Sequence, residues 1–109
     1  MASPHQGLSA GRWQEFSLFE QLGNVASEVG RAARWKMQDR VSSEGAFVRA
    51  LELLDLTMRD KRWHGRLKEI SRSRELLASA FLGDDEYKTS LADLERYFSQ
   101  FALAARLKK

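Results

Sequence analysis

Apolar residues recur at steps of three and four along most of the chain, the spacing that sets side chains on one face of a helix. Over 17–38 the series is Leu18, Leu22, Val25, Val29 and Ala32, with Gln21, Asn24, Glu28 and Arg31 on the polar side. Ser17 and Glu20 form a capping box at its start, where the hydroxyl takes an unpaired backbone N–H and the carboxylate reaches back to the cap. The pattern pauses at 39–45, where Ser42 and Ser43 can cap, and resumes as a second helix over about 44–59. Phe47, Leu51, Leu54 and Met58 make its stripe; Ala50, Leu53 and Leu56 widen it, which predicts the most buried helix. Trp63, Leu67, Ile70, Leu77 and Phe81 mark a third helix that Gly83 ends, because glycine takes the left-handed conformation at least cost. Ser90 and Asp93 form another capping box before Leu94, Phe98, Phe101 and Ala105, the stripe of a fourth helix over about 91–107.

The single proline is Pro4, so nothing beyond it forbids a helix interior, and no period-two run marks a strand. Four helices with short connections predict an all-α fold, an antiparallel up-down four-helix bundle spanning 13–109. Residues 1–12, aperiodic and rich in Gly, Ser and Ala, read as a mobile tail. A length of 109 residues suits one domain with one core. The absence of cysteine excludes a disulfide framework, a thiolate metal site and a cysteine nucleophile. No apolar run approaches the roughly 18–20 residues of a membrane span, and the first residues lack the charged-then-apolar order of a signal peptide. A cytoplasmic protein without membrane contact is the expectation.

Charge changes this picture more than composition does. The formal net charge is +3, yet 59–74 alone sets seven cations against Asp60 and Glu69. Arg59, Lys61, Arg62, Arg66, Lys68 and Arg72 could neutralise phosphates of RNA or DNA, or meet an acidic protein partner. Trp63 within the segment could stack on a base, although it also lies on the core stripe. Arg74 falls between Ile70 and Leu77 on the third stripe, which predicts a buried guanidinium paired with Glu28 or Asp55. The same arginine could instead open an internal pocket for an anionic ligand. Gly23, Ala26, Gly30 and Ala33 bring small residues to one side of the first helix, and two mid-helix glycines each cost about 1 kcal/mol relative to alanine. Close approach of another helix accounts for them, either within the bundle or in a homo-oligomer.

Metal and cofactor chemistry finds no pattern. Asp84, Asp85 and Glu86 lack the twelve-residue spacing of a calcium loop and read as loop solvation, while His5 and His64 are too few for a histidine cluster. No metal and no cofactor is expected.

Arg59 followed at a short interval by His64, with Asp60 beside the arginine, resembles the Arg-x4–6-His motif of HEPN-type ribonucleases. Those are small helical bundles whose dimers combine two motifs to cleave RNA without metal. The resemblance implies that Arg59 stabilises phosphate and His64 transfers protons. In size, helix count, lack of cysteine and basic balance, residues 17–107 also resemble the small bacterial four-helix-bundle proteins encoded in ribosomal RNA intervening sequences and the accessory proteins of retroelements. That resemblance is architectural, and it implies an oligomer engaging nucleic acid and protein through basic surfaces. The leading expectation is a non-enzymatic interaction or accessory protein.

Overall fold

The computed structural model describes residues 12–83 and 89–107. Within them the chain forms α1 (Leu18–Trp35), α2 (Arg40–Arg59), α3 (Leu67–Leu82) and α4 (Leu91–Leu107), with 3-10 turns at Arg12–Glu15 and Lys61–Arg66 and no strand. His5, the acidic run Asp84-Asp85-Glu86, and Lys108 and Lys109 lie outside the described residues, as does all of the expected tail except Arg12.

Both capping boxes form. Glu20 N–H donates to Ser17 Oγ at 3.1 Å and Ser17 N–H to Glu20 Oε1 at 2.9 Å; Asp93 N–H and Ser90 N–H repeat the exchange at 3.0 and 3.1 Å. Gly83 ends α3 at φ 81°, the left-handed region that favours glycine. Three boundaries differ from the sequence expectation. The first helix stops at Trp35, three residues early. α2 begins at Arg40 and not near 44, because Asp39 is the cap: its carboxylate accepts from Ser42 N–H at 3.2 Å and Ser42 Oγ at 2.7 Å. Ser43 therefore sits in the first turn, buried, and donates to the Ala32 carbonyl at 2.6 Å, fixing the start of α2 on α1. The third segment is not one helix from Trp63, whose φ −106° and ψ 17° leave the helical region.

α1 is the central element. It packs extensively on α4 and α2, while α3 makes smaller contacts with α2 and α4. The expectation that the second helix is most buried is thereby corrected: ten of eighteen α1 residues are buried, against seven of twenty in α2. The flank that α2 leaves open exposes Val41 and Val48. Leu22, Val25 and Val29 of α1, Leu53 and Leu54 of α2, Ile70 and Leu77 of α3 and Phe98 of α4 form the shared core. Phe47 stacks on Phe81 with ring centres 4.1 Å apart, and Phe19 meets Phe101 at 5.6 Å.

The small residues of α1 face α4. A Cβ on Gly23 would lie 2.9 Å from both Cα and Cβ of Ala102, closer than real Cβ atoms pack, so the two helices meet as near as glycine permits. Gly30 lies against Glu95, whose Oε2 would be 2.8 Å from an added Cβ. Ala26 is buried and Ala33 packs on the edge of the core.

Candidate functional site

The junction between α2 and the second 3-10 turn carries a buried polar knot. Asp60 ends α2 by donating its N–H to the Thr57 carbonyl at 3.1 Å, and its carboxylate caps the turn by accepting from Arg62 N–H at 3.1 Å. Gln21, fully buried, reaches across from α1: its Nε2 donates to Asp60 Oδ2 at 3.3 Å and to the Trp13 carbonyl at 2.9 Å, while its Oε1 accepts from Trp63 Nε1 at 3.0 Å. Trp13 Nε1 donates to Thr57 Oγ1 at 3.3 Å. Arg62 closes the knot from outside, with Nη2 at 2.6 Å from Asp60 Oδ2 and 2.9 Å from the Phe16 carbonyl, and its guanidinium 4.5 Å from the Trp63 ring centre. The guanidinium holds the Asp60 carboxyl below its ordinary range against the opposing effect of burial. Every side chain here has its partners, which suits a structural clasp tying Arg12–Glu15 to the middle of the chain.

Most guanidiniums of the basic segment are already matched. Arg62 is held by Asp60, Arg66 Nη2 lies 2.7 Å from Glu69 Oε1, Arg72 faces Glu75 at 3.8 Å, and Arg74 is bound to Asp55. Glu69 also accepts the Tyr97 hydroxyl at 3.0 Å, so Arg66 belongs to a link between α3 and α4. Burial and the neighbouring carboxylate push the Tyr97 hydroxyl up to about 12. Arg59 donates to the Asp55 carbonyl at 3.4 Å. Among the described residues, Lys61 and Lys68 face no carboxylate. The segment that reads as one cationic helix is a kinked stretch in which four of the seven cations are matched by carboxylates, two of them, Asp55 and Glu75, from outside it.

Arg74 reaches Asp55 with Nε to Oδ1 at 2.8 Å, and both side chains are more than a third exposed. Its position is corrected from the core to the flank, because the buried frame of α3 runs Ile70, Ser73, Leu77 and not Ile70, Arg74, Leu77. Ser73 tolerates that place by donating its hydroxyl to the Ile70 carbonyl at 2.7 Å. Glu28 is buried but pairs elsewhere, with Arg49 at 3.3 Å and Arg31 at 3.2 Å on the same oxygen.

His64 and Arg59 are both exposed on either side of the junction, and no described carboxylate orients the imidazole. Among the described residues no three histidine or carboxylate side chains converge as a metal site, and no helix is long and apolar enough to cross a membrane.

Surface cavities lie along α1, two of them with contrasting linings. One, of about 580 Å³, is walled by Leu18, Phe19, Trp63 and Ala105, with Glu20 and Arg66 at its rim. The other, of about 370 Å³, lies between α1 and α4, with Gly23, Gly30 and Ala102 among its lining and three arginines, Arg31, Arg34 and Arg106, against the single carboxylate Glu95. Arg31 shares Glu28, whereas Arg34 and Arg106 have no carboxylate partner among the described residues. In the sequence Arg31 stands on the polar face of the first helix, and Arg34 belongs to no motif. The available signal was a pair of arginines, Arg31 and Arg34, each following a small residue of the Gly30 and Ala33 series.

Comparison with known proteins does not extend these observations. No protein-family model matches the sequence, and neither the curated proteins nor the solved structures include a match.

Proposed function

We propose that the protein is a non-enzymatic helical interaction module that binds an anionic partner. The supporting observation is the depression between α1 and α4, whose lining sets three guanidiniums against one carboxylate, two of the three having no carboxylate partner among the described residues. An arginine without a partner is ready to accept one, since its fork of donors matches phosphate and carboxylate oxygens at little reorganisation. In the basic segment 59–74 four of the five guanidiniums are taken up by Asp55, Asp60, Glu69 and Glu75, which leaves Arg59 and two lysines, point charges without the arginine fork. The frame that carries the arginines is an antiparallel up-down bundle in this reading. Gly23 with Ala102 and Gly30 with Glu95, and likewise Ala32 with Ser43 and Glu28 with Arg49, pair rising positions on one helix with falling positions on the next.

Retention on a heparin column tests the reading. Elution should require added salt and should move to lower salt in Arg34→Ala/Arg106→Ala, whose changes lie on the surface; elution of the wild type without salt would overturn it. The ribonuclease reading keeps one point in its favour, the exposure of His64 and Arg59. It requires two copies to bring their His64 side chains together.

A further inference from the structure

We propose that the arginine-lined depression between α1 and α4 holds the phosphates of a single-stranded nucleic acid, with its bases directed toward the aromatic cavity at Phe19 and Trp63. The inference rests on the anionic-partner reading and narrows it to one ligand class along one path.

The path is continuous. A shallow depression of about 200 Å³ shares Gly23, Ala102 and Arg106 with the arginine-lined one, and shares Glu20 and Ala105 with the cavity that Trp63 walls. Along α1 the track runs from Arg34 back to Leu18, about 24 Å at 1.5 Å per residue. Domains that bind single strands engage about 4–16 nucleotides, and a track of this length suits the low end of that range. Its chemistry changes along its length, so a strand lying on it would set phosphates of one stretch on the arginines and bases of the next stretch against the rings. Arg31, Arg34 and Arg106 lie where a backbone would pass, over a floor of small residues that lets the chain come close to the helices. Ser27 and Ser99 add hydroxyls to the same lining. Phe16, Phe19 and Trp63 lie at the other end, where an unpaired base can stack. Glu95, against Gly30, and Glu20, which caps α1, are the opposing carboxylates, and Glu20 already accepts the Ser17 N–H. An acidic peptide could meet the arginines but has less use for the aromatic end. A duplex would keep its bases stacked away from it.

Fluorescence anisotropy with a labelled oligouridylate of about twelve nucleotides, between about 50 and 200 mM salt, provides the test. The wild type should bind with affinity that falls as salt rises. Arg34→Ala/Arg106→Ala should weaken binding at least about tenfold, through loss of charge-assisted hydrogen bonds. It should also reduce the salt slope by about 1.4, or about 0.7 for each of two single-strand phosphates released from contact. Lys61→Ala/Lys68→Ala, in the basic segment, should bind like the wild type, and unchanged far-UV circular dichroism should accompany both variants. Loss of binding in the lysine variant with the arginine variant intact would overturn the proposal by moving the site to 59–74. Polyglutamate displacing the RNA at equal charge concentration would overturn it in favour of an acidic protein, leaving the anionic-partner reading in place. Salt-dependent heparin retention without any RNA binding would do the same, whereas failure to bind either polyanion would defeat both.

Discussion

At the scale of single residues, the clearest lesson is what a buried amide does. Gln21 satisfies three groups from two other parts of the chain, the Trp13 carbonyl and, just past the end of α2, the Asp60 carboxylate and the Trp63 indole. Gln21→Leu keeps the volume but leaves the indole N–H and the carbonyl unpaired, so it should destabilise the fold by about 2–3 kcal/mol in urea titration. Asp60 makes a separate prediction in pH. Its carboxyl is held low in the folded state, so the stability it contributes is present above the unfolded value of about 4 and is lost as pH falls through the folded value. Unfolding free energy measured downward from about pH 5 should fall less steeply in Asp60→Asn than in the wild type. Sequence reading found the caps, because Ser17 with Glu20 and Ser90 with Asp93 act within one turn. It misplaced Gln21 and Arg74 for a common reason: helical spacing allows neighbouring frames, and a polar residue enters the core wherever partners from other elements await it. Gln21 finds its partners inside the core, whereas the partner of Arg74, Asp55, is itself on the half-exposed flank. Ser73, able to satisfy itself on its own helix, took the buried place.

At the scale of elements, α1 and α4 are held at a distance that one glycine sets. Gly23→Ala must push Ala102 or its backbone aside and should destabilise, even though alanine is the better helix former. Gly45 in α2 is the control: an added Cβ there meets only Nη1, at the far end of the Arg49 side chain, at 3.3 Å. Gly45→Ala should therefore stabilise by about 0.5–1 kcal/mol, and opposite shifts in melting temperature would check the pair together. Helix number and approximate extent were readable from period and caps. The break at Trp63 was not, since its apolar step continues the α3 stripe while the indole is turned to Gln21 by a contact from α1. α2 was expected to be innermost because its apolar residues surround it, yet Val41 and Val48 face outward. Hydrophobicity on all sides of a helix says that it can be buried, and the neighbours decide which sides are.

At the scale of the whole molecule, a mild positive excess in the sequence becomes a surface pattern only after folding. Four arginines of 59–74 are answered by carboxylates, while Arg34 and Arg106, from the first and last helices, come to one depression without a carboxylate partner among the described residues. The nuclease alternative is decided by comparing RNA cleavage by the wild type and His64→Ala: equal background rates retire it, and loss of cleavage in the variant revives it. Met37 and Val41, at the turn between α1 and α2, are with Leu82 and Leu107 the most exposed large apolar side chains among the described residues. Light scattering should give a smaller mass for Met37→Asp/Val41→Asp if they join copies. The two walls of the arginine-lined depression come from α1 and α4, so this surface exists only while those helices are docked on each other and is lost when they part. A polyanion that bridges the two walls would hold them together, and its binding would read out as slower unfolding.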